Sequence, residues 1–125
     1  MRARVAYSFN FEAAHKGIGF PDDHINSRIH GHSYLAELIA EGEVSEIDGT
    51  VLPLEVLESI AENIKPMLDH RTLNDVVKFP TMEYLAEFIL KQALERSSKI
   101  TSVRVMRPTV GMWAFCQAGD LNASS

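Results

Sequence analysis

Residues 5 to 15 alternate without a break, with Val5, Tyr7, Phe9, Phe11, Ala13 and His15 at odd positions and Ala6, Ser8, Asn10, Glu12 and Ala14 at even ones. A period of two sends successive side chains to opposite faces of a strand and does not suit an amphipathic helix. This stretch predicts a strand with one apolar face that ends in a histidine. A second strand is predicted from about Ile29. His30, His32, Tyr34, Ala36, Leu38 and Ala40 lie on one of its faces, with Ser33, Leu35, Glu37 and Ile39 on the other. Antiparallel pairing of the two is expected, although residues 16–28 between them far exceed the about two to five residues of an ordinary hairpin loop. Loops of that length are commonly functional.

In His30-Gly31-His32 the two imidazoles stand two residues apart and leave the same face of the strand. Direct pairing of the strands would bring His15 to them at the base of the loop. A lone histidine is ordinarily a structural residue. Three that converge and leave a fourth position open form the pattern of a catalytic zinc, although imidazole serves iron and nickel as well.

The second half of the chain changes period. Turn chemistry at residues 41–43 and 48–49 is followed by residues 50–52, which predict a short strand before Pro53. Leu54, Leu57, Ile60, Ala61 and Ile64 then recur at helical spacing opposite Glu55, Glu58 and Glu62. Pro66 marks the end of that helix or a kink near it. Residues 67–75 are irregular, and Asp69-His70 reads there as a turn, since adjacent side chains do not usually bond each other in regular structure. Thr81 is the expected N-cap of a second helix, with Glu83 in its first turn. Leu85, Phe88, Ile89 and Ala93 give it a buried face, and Ser97-Ser98 stops it. Residues 101–106 and 111–117 predict a closing hairpin, and the polar tail from Ala118 is expected to fray.

The order ββααββ predicts an α+β fold, a four-stranded antiparallel sheet with two helices on one face. A sheet whose other face also needs cover favours a homo-oligomer. The 125 residues suit one domain over 1–125. A net charge of -5 without a Lys/Arg cluster argues against a nucleic-acid partner. No apolar run is long enough for a membrane span. The N-terminus passes straight into strand pattern, so no signal peptide is expected. The lone Cys116 suits a reducing, cytoplasmic location.

Four motifs, in this order, carry a resemblance that spans nearly the whole chain. Phe11-Glu12-Ala13-Ala14-His15, His30-Gly31-His32-Ser33-Tyr34, Leu68-Asp69-His70 with Leu73-Asn74, and Pro80-Thr81-Met82-Glu83 resemble the 6-pyruvoyltetrahydropterin and 6-carboxytetrahydropterin synthase family. The resemblance implies the tunnelling fold (T-fold), in which subunits join their sheets into a trimeric barrel and two trimers stack into a hexamer. It implies Zn2+ on His15, His30 and His32, with active sites between subunits. It also implies a proton-transfer pair in Asp69 and His70, and places Thr81 and Glu83 near a bound pterin.

Two departures from the family pattern bear on function. Its catalytic cysteine stands four residues before the first histidine of the His-x-His pair. Here that residue is Asn26, and an amide cannot shuttle protons as a thiolate does. Asp22, Asp23 and His24 share the loop, with His24 or Asp23 the expected base. The family's pterin-anchoring glutamate aligns with Arg107, a fork of donors that suits a carboxylate or carbonyl oxygen; a surface ion pair is the other reading of this residue. Pro53 is a lesser departure. The implied function is a zinc-dependent lyase. It would combine metal-assisted proton abstraction with elimination or retro-aldol cleavage of a small hydroxy-carbonyl substrate other than an ordinary pterin triphosphate. Asn26, Arg107, Thr81 and Glu83 would bind that substrate. An ordinary synthase acting on dihydroneopterin triphosphate, and a catalytically silent zinc-stapled oligomer, are the alternatives.

Overall fold

The alternation of the N-terminal half becomes one long hairpin in the structure, a computed structural model that describes residues 1–121. Strand β1 (Arg2–His15) runs antiparallel to β2 (His30–Glu43), in register from Arg2 opposite Glu43 to His15 opposite His30. Strands β3 (Ile100–Arg107) and β4 (Met112–Gln117) extend the antiparallel sheet in the order β1-β2-β3-β4. Helices α1 (Leu54–Ile64) and α2 (Met82–Leu94) fall between β2 and β3, giving the expected ββααββ order.

The helices pack on the sheet face that carries the odd positions of β1. Phe11 and Tyr34, opposite each other in the register, stack there with centroids 5.0 Å apart. Leu38, Val103 and Val105 continue this layer, fully buried. α1 contributes Leu57, Ile60, Ala61 and Ile64 to it, whereas Leu54, one turn ahead of them on the same stripe, stays 54% exposed. α2 begins where the Thr81 hydroxyl accepts the Tyr84 N–H at 3.3 Å, satisfying one of the free donors of a helix start. It buries Met82, Leu85, Ala86, Ile89, Leu90 and Ala93, with Phe88 only partly covered.

Among the described residues, the opposite face of the sheet carries no helix. Glu37 and Arg104 pair across β2 and β3 at 3.0 Å, the Arg104 guanidinium lies over Trp113, and Trp113 and Phe115 are exposed. β1 and β4 are the outermost strands. The end of β1 is partly covered by a parallel bridge from Ala14 to Thr72, where the Ala14 N–H donates to Arg71 C=O.

Residues 50–52 are not a strand. Thr50 C=O accepts from Ser45 N–H while its own N–H and hydroxyl both donate to Asp48, closing a small loop that leaves Val51 and Leu52 to enter the core from a bend. The tail does not fray where it was expected to begin. Ala118–Asp120 form a 3-10 turn and Leu121 packs against the core; residues 122–125 lie outside the described residues. Among the described residues, no helix is long and apolar enough to cross a membrane.

Candidate metal centre

The β1–β2 register sets His15 opposite His30, with His32 opposite Ala13. One ligating nitrogen from each of the three histidines lies within 4.8 Å of the others. His15 Nε2 stands 3.0 Å from His30 Nε2 and 3.1 Å from His32 Nε2. His15 Nδ1 is 2.8 Å from Pro80 C=O and His30 Nδ1 is 2.7 Å from Arg28 C=O. A carbonyl only accepts, so both rings carry their proton on Nδ1 and turn an Nε2 lone pair inward. Backbone carbonyls often hold metal-ligating histidines in this way. Zinc–nitrogen bonds of about 2.0–2.1 Å at tetrahedral angles would set such nitrogens about 3.3 Å apart, close to the spacing here. The donor set therefore fits a divalent ion with a position left open.

The third ring is held differently. Arg107 donates from its terminal guanidinium nitrogen to His32 Nδ1 at 2.9 Å. Burial, then the Arg107 charge, then the two neighbouring rings push His32 down to about 4. His15 is also lowered, mainly by burial, against the opposing hydrogen bond to Pro80. Both rings are neutral near pH 7, the state a ligand needs.

These histidines form one wall of a cavity of about 390 Å³, a size typical of small-molecule sites. Tyr34, Phe79, Met82 and Met112 supply apolar surface, and Ile18 and Phe20 reach over from the long loop. Asn26, Thr81, Glu83 and Arg107 all line the cavity. Arg107 thus faces inward onto His32, and is not the surface ion pair that was its other reading. Burial pushes the Tyr34 phenol up to about 12, so it keeps its proton at neutral pH.

The loop is tied down at its foot. The Asn74 amide brackets Lys16, accepting its N–H at 2.8 Å and donating to its C=O at 2.9 Å. Gly17 N–H donates to Asn26 C=O at 2.7 Å, and a Cβ at Gly17 would sit 2.7 Å from that same oxygen. His24 caps the 3-10 turn Ile25–Ser27 by accepting the Asn26 N–H at 3.0 Å, with its ring stacked on Phe20. Neither His24 nor Asp23 lines the cavity. Both are exposed, as is Asp22.

Asp69 and His70 do bond through their side chains, contrary to the expectation for adjacent residues: His70 Nδ1 lies 2.9 Å from Asp69 Oδ2. The backbone here is not regular. His70 has a φ of 59° and its N–H donates to Glu12 C=O, while Glu12 N–H donates to Asp69 Oδ1 at 2.8 Å. That Glu12 bond, and then His70, hold the Asp69 carboxyl below its usual range. The His70 ring is 80% exposed and lines a second depression with Glu12, Ser33, Arg71 and Thr72. Within one chain the pair is therefore not brought into the histidine cavity, although His32 borders both spaces.

Sequence reasoning missed the carbonyls of Arg28 and Pro80, the Asn74 bracket and Met112. Main-chain oxygens leave no residue-type signal, and Asn74 was visible only as part of a motif.

A family model described as 6-pyruvoyl tetrahydropterin synthase matches residues 4–118. The chain is 33% identical over 89 residues to the dihydroneopterin monophosphate aldolase of Pyrococcus furiosus, covering 71% of this chain and 73% of that one. It is 29% identical over 101 residues to a putative 6-carboxy-5,6,7,8-tetrahydropterin synthase of Archaeoglobus fulgidus, covering 81% and 84%. Among solved structures, the 6-pyruvoyl tetrahydropterin synthase of Caenorhabditis elegans superposes with a TM-score of 0.82 at 20% identity, covering 94% of this chain and 96% of that one. The Plasmodium falciparum 6-pyruvoyl tetrahydropterin synthase gives 0.69 at 20% identity, covering 93% and 98%. These structural likenesses show the T-fold.

Proposed function

Since this chain belongs to the 6-pyruvoyl tetrahydropterin synthase family, we propose that it is a zinc-dependent lyase that cleaves the hydroxylated side chain of a dihydropterin phosphate monoester by a retro-aldol step. The convergence of three Nε2 atoms beside a cavity of about 390 Å³ carries this reading. Its reaction class is supported by the relative named as an aldolase, and its preference for a monoester by charge. Among the residues lining the cavity, Arg107 is the only permanent cation, and a triphosphate calls for several.

When bound, the metal supplies Lewis-acid polarisation of the substrate's side-chain oxygens. His15, His30 and His32 hold it. Tyr34, Phe79, Met82 and Met112 take the flat ring and exclude water, and Glu83 accepts from the N–H edge of the pterin, with Thr81 and Asn26 beside it. His70, oriented by Asp69, removes the proton of the side-chain hydroxyl. The carbon–carbon bond next to that hydroxyl then breaks toward the ring, whose C=N takes the electron pair, and the proton is returned to the shortened side chain. Its position outside the cavity of its own chain supports a site completed between subunits, in a homo-oligomer built as a dimer of trimers. The bare sheet face with Trp113 and Phe115, and the open edges of β1 and β4, support the same assembly. A cytoplasmic location accords with the single free Cys116.

The test is incubation of the zinc-loaded protein with dihydroneopterin monophosphate and, separately, the triphosphate. A shortened pterin and a phosphorylated two-carbon aldehyde from the monophosphate are expected, abolished by His70→Ala with zinc retained. Turnover of the triphosphate alone would replace this reading with the synthase activity named for the Archaeoglobus relative. Turnover of neither would leave a binding module.

A further inference from the structure

Arg107 makes an unusual contact for a residue beside a metal ligand. A guanidinium carries donors only, so the 2.9 Å contact requires His32 Nδ1 to accept. A neutral imidazole that accepts at Nδ1 carries its proton on Nε2, the nitrogen that faces His15 Nε2 at 3.1 Å. His15 and His30 are the opposite tautomer, because each gives its Nδ1 proton to a carbonyl. Two of the three rings are thus set for a metal and the third is set against it. A metal on His32 Nε2 needs the lone pair there, which moves the ring proton to Nδ1 and points it at another donor. The Nδ1 contact with Arg107 cannot survive that change.

Arg107 has somewhere else to go. It lines the same cavity as the histidines, and its Nε is buried without an acceptor. Glu83 is the only carboxylate among the lining residues. The planar fork therefore keeps unspent donors suited to two oxygens of one anion.

We propose that Arg107 and a metal ion hold His32 in mutually exclusive states, so that loading the site frees the guanidinium to bind an anionic oxygen, carboxylate or phosphate, of the molecule in the cavity. This rests on the metal reading given above. It makes Arg107 a specificity-determining residue that is available only in the loaded protein, and it explains why donors stand where the family pattern has an acceptor.

The experiment measures the Zn2+ affinity of the full chain and of Arg107→Met by competition with a chromophoric chelator, together with ring 15N spectra of His32 in the metal-free and loaded wild type. Zinc should bind about tenfold tighter to R107M, the size of one lost charge-assisted hydrogen bond. The His32 proton should move from Nε2 to Nδ1 on loading. Glycolate and inorganic phosphate, added to both loaded proteins, identify the anion: the one whose binding weakens about tenfold in R107M is the class Arg107 serves. Equal zinc affinity in the two proteins overturns the proposal. So does a loaded His32 with neither ring nitrogen protonated and Arg107 still attached, or unchanged binding of both anions. The ring spectra need no variant and decide the matter even if R107M does not fold. If neither protein binds zinc, the metal reading itself fails and takes this inference with it.

Discussion

The imidazoles of His15 and His30 meet Nε2 to Nε2 at 3.0 Å while each gives its Nδ1 proton to a main-chain carbonyl, Pro80 for one and Arg28 for the other. Two lone pairs at that distance repel unless a positive centre sits between them. The backbone enforces the arrangement, because both carbonyls belong to segments fixed by other bonds: Arg28 closes the 3-10 turn after Ile25, and Pro80 leads into the Thr81 cap of α2.

Metal removal should therefore cost stability as well as function. A ligand at a hundred times its dissociation constant stabilises by about 2.7 kcal/mol, which corresponds to a melting shift on the order of 10 °C for a chain of this size. Thermal scans with and without chelator should show that gap. His30→Ala should abolish it while the metal-free melting temperature stays near that of the wild type.

Gly17→Ala should loosen the cavity roof. The added Cβ would lie 2.7 Å from the main-chain oxygen of Asn26, the acceptor of the Gly17 N–H. The loop must move, with a loss of about 1 kcal/mol for the hydrogen bond. Ligand affinity should fall while zinc affinity, set by strand residues outside the loop, holds. Parallel titrations of the two distinguish a local effect from a general one.

Asp69 should shape the acid limb of stability. Its folded carboxyl is held below the ordinary value of 3.8 by the Glu12 N–H and then by His70. As pH falls, the unfolded chain takes up this proton first. The stabilisation is thus complete above the unfolded value and disappears as pH drops through the lower folded one. Urea midpoints measured from pH 6 to pH 2 should fall less steeply for Asp69→Asn than for wild type.

Leu90→Ala and Leu54→Ala should differ widely although both are leucines on helical apolar stripes. Leu90 is fully buried in α2, and its truncation should cost about 2–5 kcal/mol. Leu54 is 54% exposed in the first turn of α1, and its loss should stay within about 0.5 kcal/mol. Denaturant midpoints of the two variants give the comparison.

The strands and the convergence of His15, His30 and His32 could be read from the chain because their signal is local. A period of two names its own face, and the apolar row from Val5 to His15 ends in the same residue type that opens the next strand at His30. The caps and helical stripes are local as well, and Thr81 is the clearest case. Residues 50–52 misled because Thr50, β-branched and beside Val51, spends its hydrogen bonds on Asp48 and Ser45 instead of a partner strand.

What the chain could not disclose by itself is how residues distant in sequence meet. That Arg107 sits on His32, that Asn74 brackets Lys16 and that Asp69 and His70 turn toward each other along the edge of β1 depend on which main-chain groups remain free after the sheet has formed. Periodicity records which way a side chain points from its own backbone. The partner it finds there is decided only when β1, β2 and β3 lie side by side, because contacts across the fold depend on register and packing that no single segment encodes.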